Sequence, residues 1–296
     1  VTAPAPSAVP LPLRLTATGV RAASRVSTPL AARLTAALFA TPLPPKWVVQ
    51  RKLARTPLPE HVQIAALPFR GSAITTYRWT APTGAPRALL THGWAGAARQ
   101  MVPLANALAA AGWDVTAIDH VAHGASPGTQ SNLPEFVHAI DYTAQHLGPL
   151  DLVVGHSMGA GAAAIALGRG MQAKRFVSVA SPTSFATVLA GFTHWLKLPD
   201  SVRAGTQAVL EARNGMRFEA MEAHNNAPRL KLPTLLVHDA GDKAVAFANA
   251  QQLLRLIEGA QLITTQGLGH NRILADAAVI AAIMDFAQAG RGEAGD

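Results

Sequence analysis

The chain has 296 residues, 49% hydrophobic and 14% charged, which is enough apolar mass for one large α/β domain or two small ones and excludes a disordered chain. It contains no cysteine, so a disulfide framework, a thiolate metal site and a cysteine nucleophile are excluded together. The formal net charge of +8 would suit a nucleic-acid binder if it were clustered on a recognition motif, but residues 1–70 carry nine Lys and Arg against the single acid Glu60, spaced out along the chain, and the rest balances at sixteen of each sign.

The first 60 residues read as a basic, Pro- and Ala-rich N-terminal arm with one or two short helices. An amphipathic stretch runs from about Leu30 to Phe39, and prolines 42, 44, 45, 57 and 59 break any regular element between Thr41 and Pro59. No run approaches the roughly 20 apolar residues that span a bilayer; the best candidate, Pro29 to Ala40, contains Arg33. The opening Val1 to Pro12 has no positive charge, unlike a secretory signal, so the chain is expected to be cytoplasmic, with N-terminal processing left open.

From His61 short β runs alternate with helical stretches. His61 to Phe69 and Ser72 to Trp79 predict a hairpin. Strand Arg87 to Thr91, helix Arg99 to Ala111, strand Asp114 to Asp119, helix Asn132 to Leu147, strand Leu150 to Val154, helix Met158 to Gly170 and strand Lys174 to Ala180 come next in order. Strands this apolar, alternating with helices, predict an α/β fold: a mostly parallel sheet, eight strands in all, covered by helices on both faces. The alternation stops between Pro182 and Lys231, where helical periodicity runs over Phe185 to Leu198 and Ser201 to Arg213; a departure of that length is usually a lid or an insertion. It resumes with strand Pro233 to Val237, helix Phe247 to Glu258, strand Gln261 to Thr265 and helix Leu274 to Gln288. The expected organisation is therefore an arm over 1–60, a core over 61–181 and 233–290, and a helical cap over 182–232.

Gly155-His156-Ser157-Met158-Gly159 sits directly after the strand LDLVV and directly before the helix GAGAAAIALG. A strand that turns sharply into a helix forces the central serine into a strained backbone, with glycines two residues away on either side giving room, and it exposes the hydroxyl above the carboxyl end of the sheet. The helix N-terminus below it favours developing negative charge. A serine hydroxyl needs a base, and the base an orienting acid, in the chain order Ser, Asp, His. His270, in a glycine-flanked loop before the last helix, supplies the base. Asp242 supplies the acid; Asp239 competes, but Gly241-Asp242 sits at the turn beyond the strand. His156 is assigned to packing or support, while His92 and His123 are assigned to local hydrogen bonds. Acyl transfer also requires two N–H donors for the oxyanion, here expected from Met158, which follows the nucleophile, and from Trp94 in Thr91-His92-Gly93-Trp94.

HGW at 92–94, AIDHVAHGASPG at 117–128, GHSMG at 155–159, LLVHDAGDKAV at 235–245 and GLGHNRIL at 267–274 together resemble the α/β-hydrolase superfamily, in its serine esterase and lipase-like branch. The resemblance runs from about His61 to Gln288. It implies the same roles for Ser157, Asp242, His270, Trp94 and Met158, a cap between the sixth and seventh strands, no cofactor and no metal, and a small-molecule ester or thioester as substrate. Epoxide hydrolases and haloalkane dehalogenases of similar fold carry aspartate where this chain has Ser157. The candidate acyl pocket is Trp94, Phe185, Leu189, Phe192 and Trp195, although the cap residues at helical spacing equally suit packing onto the core. Acyl transfer, amide cleavage and C–C bond hydrolysis use the same side chains. A non-catalytic protein whose basic arm binds an anionic surface is the alternative of another class, and the oligomeric state stays open.

Overall fold

A computed structural model describes residues 11–289; residues 1–10 of the expected arm and residue 290 of the expected core lie outside it. The strands are β1 (Gln63–Phe69), β2 (Ser72–Trp79), β3 (Arg87–Thr91), β4 (Asp114–Asp119), β5 (Leu152–His156), β6 (Phe176–Val179), β7 (Thr234–Asp239) and β8 (Gln261–Thr265). Helices α1 (Leu11–Val26), α2 (Thr28–Phe39) and α3 (Lys46–Leu53) precede them, and α4 (Val102–Ala110), α5 (Leu133–Leu147) and α6 (Met158–Gly168) connect the central strands. Between β6 and β7 lie α7 (Phe185–Trp195), α8 (Asp200–Asn214) and the short α9 (Ala223–Asn226); α10 (Ala248–Leu256), α11 (Gly269–Arg272) and α12 (Ala277–Gln288) are the remaining helices among the described residues.

The eight strands form one sheet in the order β1-β2-β4-β3-β5-β6-β7-β8, parallel from β4 to β8, with β1 and β2 added antiparallel at one edge. The apolar character of the central strands follows from their burial on both faces. Because side chains alternate along a strand, Leu89, Val153, Phe176 and Leu236 enter one core with α5 and α6. Their neighbours Leu90, Val154, Val177 and Val237 enter a second core with α4 and α12.

Several element ends differ from the pattern, and two of the shifts have a plain cause. The strand expected over Leu150 to Val154 is shifted to Leu152–His156, because Leu150 makes only an isolated bridge to Ala173 while the chain stays extended to the turn at Ser157. The last helix begins at Ala277 and not Leu274, since the Asp276 carboxylate accepts the N–H groups of Ala278 and Val279 and caps it there.

The described part of the arm holds three helices where one or two were expected, and it packs closely on the domain. Ser27 separates α1 from α2 as an N-cap, its hydroxyl accepting the Leu30 N–H, and the prolines after Thr41 confine the break between α2 and α3. Ala31, Ala32, Thr35 and Ala36 are buried against α8. That approach needs small residues: a Cβ at Gly205 of α8 would lie 3.0 Å from the Ala32 Cβ. Lys46 Nζ donates to the Ser126 carbonyl at 2.7 Å, Ser131 N–H to the Ala40 carbonyl at 2.8 Å and Arg99 Nη1 to the Thr56 carbonyl at 3.1 Å, which ties the arm to loops at the carboxyl end of the sheet.

Candidate active site

Ser157 joins β5 to α6 with φ 52° and ψ −123°, a left-handed conformation that costs a non-glycine residue about 1–3 kcal/mol. The surroundings hold it there. A Cβ at Gly155 would lie 2.4 Å from the Ala160 Cα, and one at Gly159 would lie 2.3 Å from the His92 carbonyl oxygen, so helix, strand and the loop after β3 meet at distances only glycine allows. Gly93 presses on the serine itself, its hypothetical Cβ 2.7 Å from the Ser157 Cβ. The Ser157 N–H donates to the Val179 carbonyl at 2.8 Å and anchors the turn to β6.

The loop after β7 brings Asp242 to this hydroxyl, and His270, expected in a loop, reaches it from the one-turn helix α11 after β8. His270 Nδ1 donates to Asp242 Oδ2 at 2.7 Å, which leaves Nε2 as the acceptor of the Ser157 hydroxyl at 3.0 Å. The Asp242 side chain is buried, and burial by itself would raise its pKa. Hydrogen bonds from His270 and from the N–H groups of Val245 and Ala244 outweigh that effect and hold the carboxyl below its ordinary value, so it stays ionised beside the imidazole. Asp239 is placed differently. Its carboxylate accepts from Gly241 N–H, Leu268 N–H and the Thr265 hydroxyl, and it shapes the two loops without reaching His270. His238 Nε2 donates to the Val245 carbonyl at 2.9 Å and stands 3.6 Å from Asp242 Oδ2.

With this geometry in view, comparison with known proteins gives a consistent result. A family model described as alpha/beta hydrolase fold matches residues 86–232, and one described as TAP-like protein matches residues 214–296. The chain belongs to the α/β-hydrolase superfamily. Among solved structures this hydrolase-fold chain is similar to a membrane phospholipase A described as a bacterial virulence factor, at 17% identity, covering 83% of this chain and 90% of that one with a TM-score of 0.60. It is similar also to a putative lipase from Acinetobacter baumannii AYE at 19% identity, covering 81% and 94% with a TM-score of 0.59. A thioesterase domain from the curacin biosynthetic pathway matches at 23% identity, covering 77% and 99% with a TM-score of 0.57. Among curated proteins none matches the sequence.

Two cavities meet at the serine of this hydrolase-fold chain. The first, of about 530 Å³, has Ser157 and His270 in its wall and is otherwise mostly apolar. Of the residues expected to form an acyl pocket, Trp94, Phe185, Phe192 and Trp195 line it, together with Met158. Leu189 does not; it is 1% exposed and packs in the hydrophobic core, because successive residues of one apolar helical stripe can face different partners. The arm contributes what no motif announced: Leu38, Phe39 and Leu43 complete the wall, and the Phe39 ring lies edge-on to Phe185 and Phe192 at 5.6 and 5.2 Å. The second cavity, of about 520 Å³, opens between α3 and α11, the helix that carries His270.

Four buried histidines underlie the serine turn. His156 Nε2 donates to the His270 carbonyl at 2.8 Å and so braces the short helix α11 that carries the imidazole. His92 Nδ1 donates to the Gly93 carbonyl at 2.7 Å and its Nε2 accepts the His120 N–H at 3.2 Å, which orders the turn before Trp94. His123 Nδ1 donates to the Val121 carbonyl at 2.9 Å. Burial lowers all four pKa values, to about 4 for His92 and about 3 for His123 and His156. Among the described residues no cluster of His, Asp or Glu is arranged to hold a metal ion, and no helix is long and apolar enough to cross a membrane.

Proposed function

We propose that this chain is a serine hydrolase that cleaves a carboxylic ester or thioester through an acyl-enzyme, with Ser157 as nucleophile, His270 as general base and Asp242 as the acid that orients it. The observation that carries the reading is the unbroken path from Asp242 Oδ2 through the imidazole to the Ser157 hydroxyl, at 2.7 and 3.0 Å. His270 removes the hydroxyl proton as Oγ bonds to the substrate carbonyl carbon, then gives that proton to the leaving oxygen or sulfur as its bond to carbon breaks. Water repeats the sequence on the acyl-enzyme and releases the acid. The N–H groups of Met158, at the start of α6, and of Trp94, after the Gly93 that abuts the serine, serve the developing oxyanion.

The apolar cavity is the acyl pocket, and residues 182–232 act with α2 as its cap. The lipase, phospholipase and thioesterase descriptions of the structural neighbours support an acyl ester or thioester as the substrate class. A panel of p-nitrophenyl esters, thioesters and amides assayed on wild type and on Ser157→Ala tests the reading. Wild type should turn over esters, and the variant should lose at least about 10,000-fold in kcat/KM. Selective turnover of amides, or equal rates for the two proteins, would refute it.

A further inference from the structure

The second cavity is basic. Its wall includes Lys52 from α3, Arg99 and Arg272, and no Asp or Glu. Among the described residues none of these three cations forms an ion pair. Lys52 and Arg272 are exposed and Arg99 is half-buried. Carbonyls orient both guanidinium groups: Arg99 Nη1 donates to Thr56 at 3.1 Å, while Arg272 donates through Nε to Leu268 at 3.0 Å and through Nη2 to Gly267, so Arg272 meets a ligand with its Nη1 side; the charge of Arg99 also reaches the buried Asp119.

The cavity also reaches the reacting pair, because Ser157 and His270 stand in its wall as they do in the wall of the apolar cavity, so the two halves of a substrate bonded at Ser157 have one cavity each. His270 can protonate only an atom beside its Nε2, and this cavity is walled by His270 and by Asn271, Arg272, Leu274 and Ala275 just after it in the chain.

On the reading that Ser157 is an acylating nucleophile, we propose that the substrate is an acyl ester or thioester whose leaving alcohol or thiol carries a phosphate, held in the basic cavity by Lys52, Arg99 and Arg272. Guanidinium N–H groups and an ammonium donate to phosphate oxygens, and a focused positive field raises both binding and encounter rate. The phosphate does not react. The Ser157 Oγ–carbon bond forms, the carbon–oxygen or carbon–sulfur bond breaks, and the serine proton ends on the departing atom through His270. Water is the only co-reactant.

Matched substrates with one acyl chain test this on the full chain. Octanoyl-coenzyme A is compared with octanoyl-N-acetylcysteamine, and 1-octanoyl-glycero-3-phosphate with 1-octanoylglycerol. The phosphate-bearing member of at least one pair should have a kcat/KM at least about tenfold higher, and the pair that responds identifies the source of the phosphate. That ratio should shrink when ionic strength rises from about 20 to about 500 mM, and should fall at least about tenfold in Lys52→Gln/Arg272→Gln. Ratios near one in both pairs, or a ratio indifferent to salt and to the double substitution, would overturn the proposal. Wild type that hydrolyses p-nitrophenyl octanoate yet shows no phosphate preference removes this inference alone; failure on every ester removes the hydrolase reading and this inference with it.

Discussion

The turn at Ser157 and the arm above it serve one site by opposite physical means. The turn is held by contacts with no slack: a positive φ at a serine, and glycines at 155 and 159 whose replacement would drive a Cβ to within 2.4 Å of backbone atoms. The arm is held by a face of alanines on α2 and by long side chains that reach loop carbonyls, and it touches the site through the wide faces of Leu38, Phe39 and Leu43. On the proposed function, bond-making geometry, which fails on a displacement of about 1 Å, falls to the tightly packed turn. Choice of substrate, which tolerates repacking, falls on the same proposal to the arm side.

Substitutions on the two sides should therefore differ in kind. On the turn side, Asp242→Asn keeps the shape but removes the charge that fixes the His270 tautomer, and kcat should fall about 1,000- to 10,000-fold while KM changes little. Steady-state kinetics on one good ester decide it, and a loss below about tenfold would mean that Asp242 is not the orienting acid.

The same region should also be sensitive to acid. Burial lowers the pKa values of His92, His123 and His156 from 6.5 to about 4, 3 and 3. Between these values and pH 6.5 the unfolded chain binds protons that the folded chain refuses, so stability present above pH 6.5 is lost as pH falls toward 4. Each histidine contributes up to about 1.4 kcal/mol per pH unit. Asp119, whose pKa is raised by burial, opposes the loss at the acid end. Thermal melts from pH 7 to pH 4 should show a falling Tm, and a flat profile would contradict the burial of neutral histidines.

The smallest effect is expected on the arm. Phe39→Ala removes a ring packed against Phe185 and Phe192 and should lower kcat/KM about tenfold, or ~1.4 kcal/mol, for long acyl chains, with a loss that grows with chain length. A length-independent loss would mean that Phe39 only supports the fold.

This contrast also explains what could be read from the residues alone. The serine turn was legible because its constraints are local: an apolar strand, two glycines and a helix must adjoin for the turn to exist. Asp242 was separated from Asp239 by turn chemistry, yet both accept hydrogen bonds from nearby backbone N–H groups, and the distance to His270 is a tertiary fact. The apolar stripe of α7 marked Phe185, Leu189 and Phe192 alike; which of them meets empty space depends on the curvature of its neighbours, and Leu189 meets the core. The arm was the least legible. Alanines 31, 32 and 36 would fit any close-packed helix, and nothing near Phe39 in the chain announces partners in α7.

The most direct test is covalent capture of the nucleophile. Native protein treated with a fluorophosphonate and digested for mass spectrometry should carry one adduct, on the peptide containing Ser157, and Ser157→Ala should carry none. A folded wild-type chain that takes up no label, or takes it up at another residue, would contradict the account.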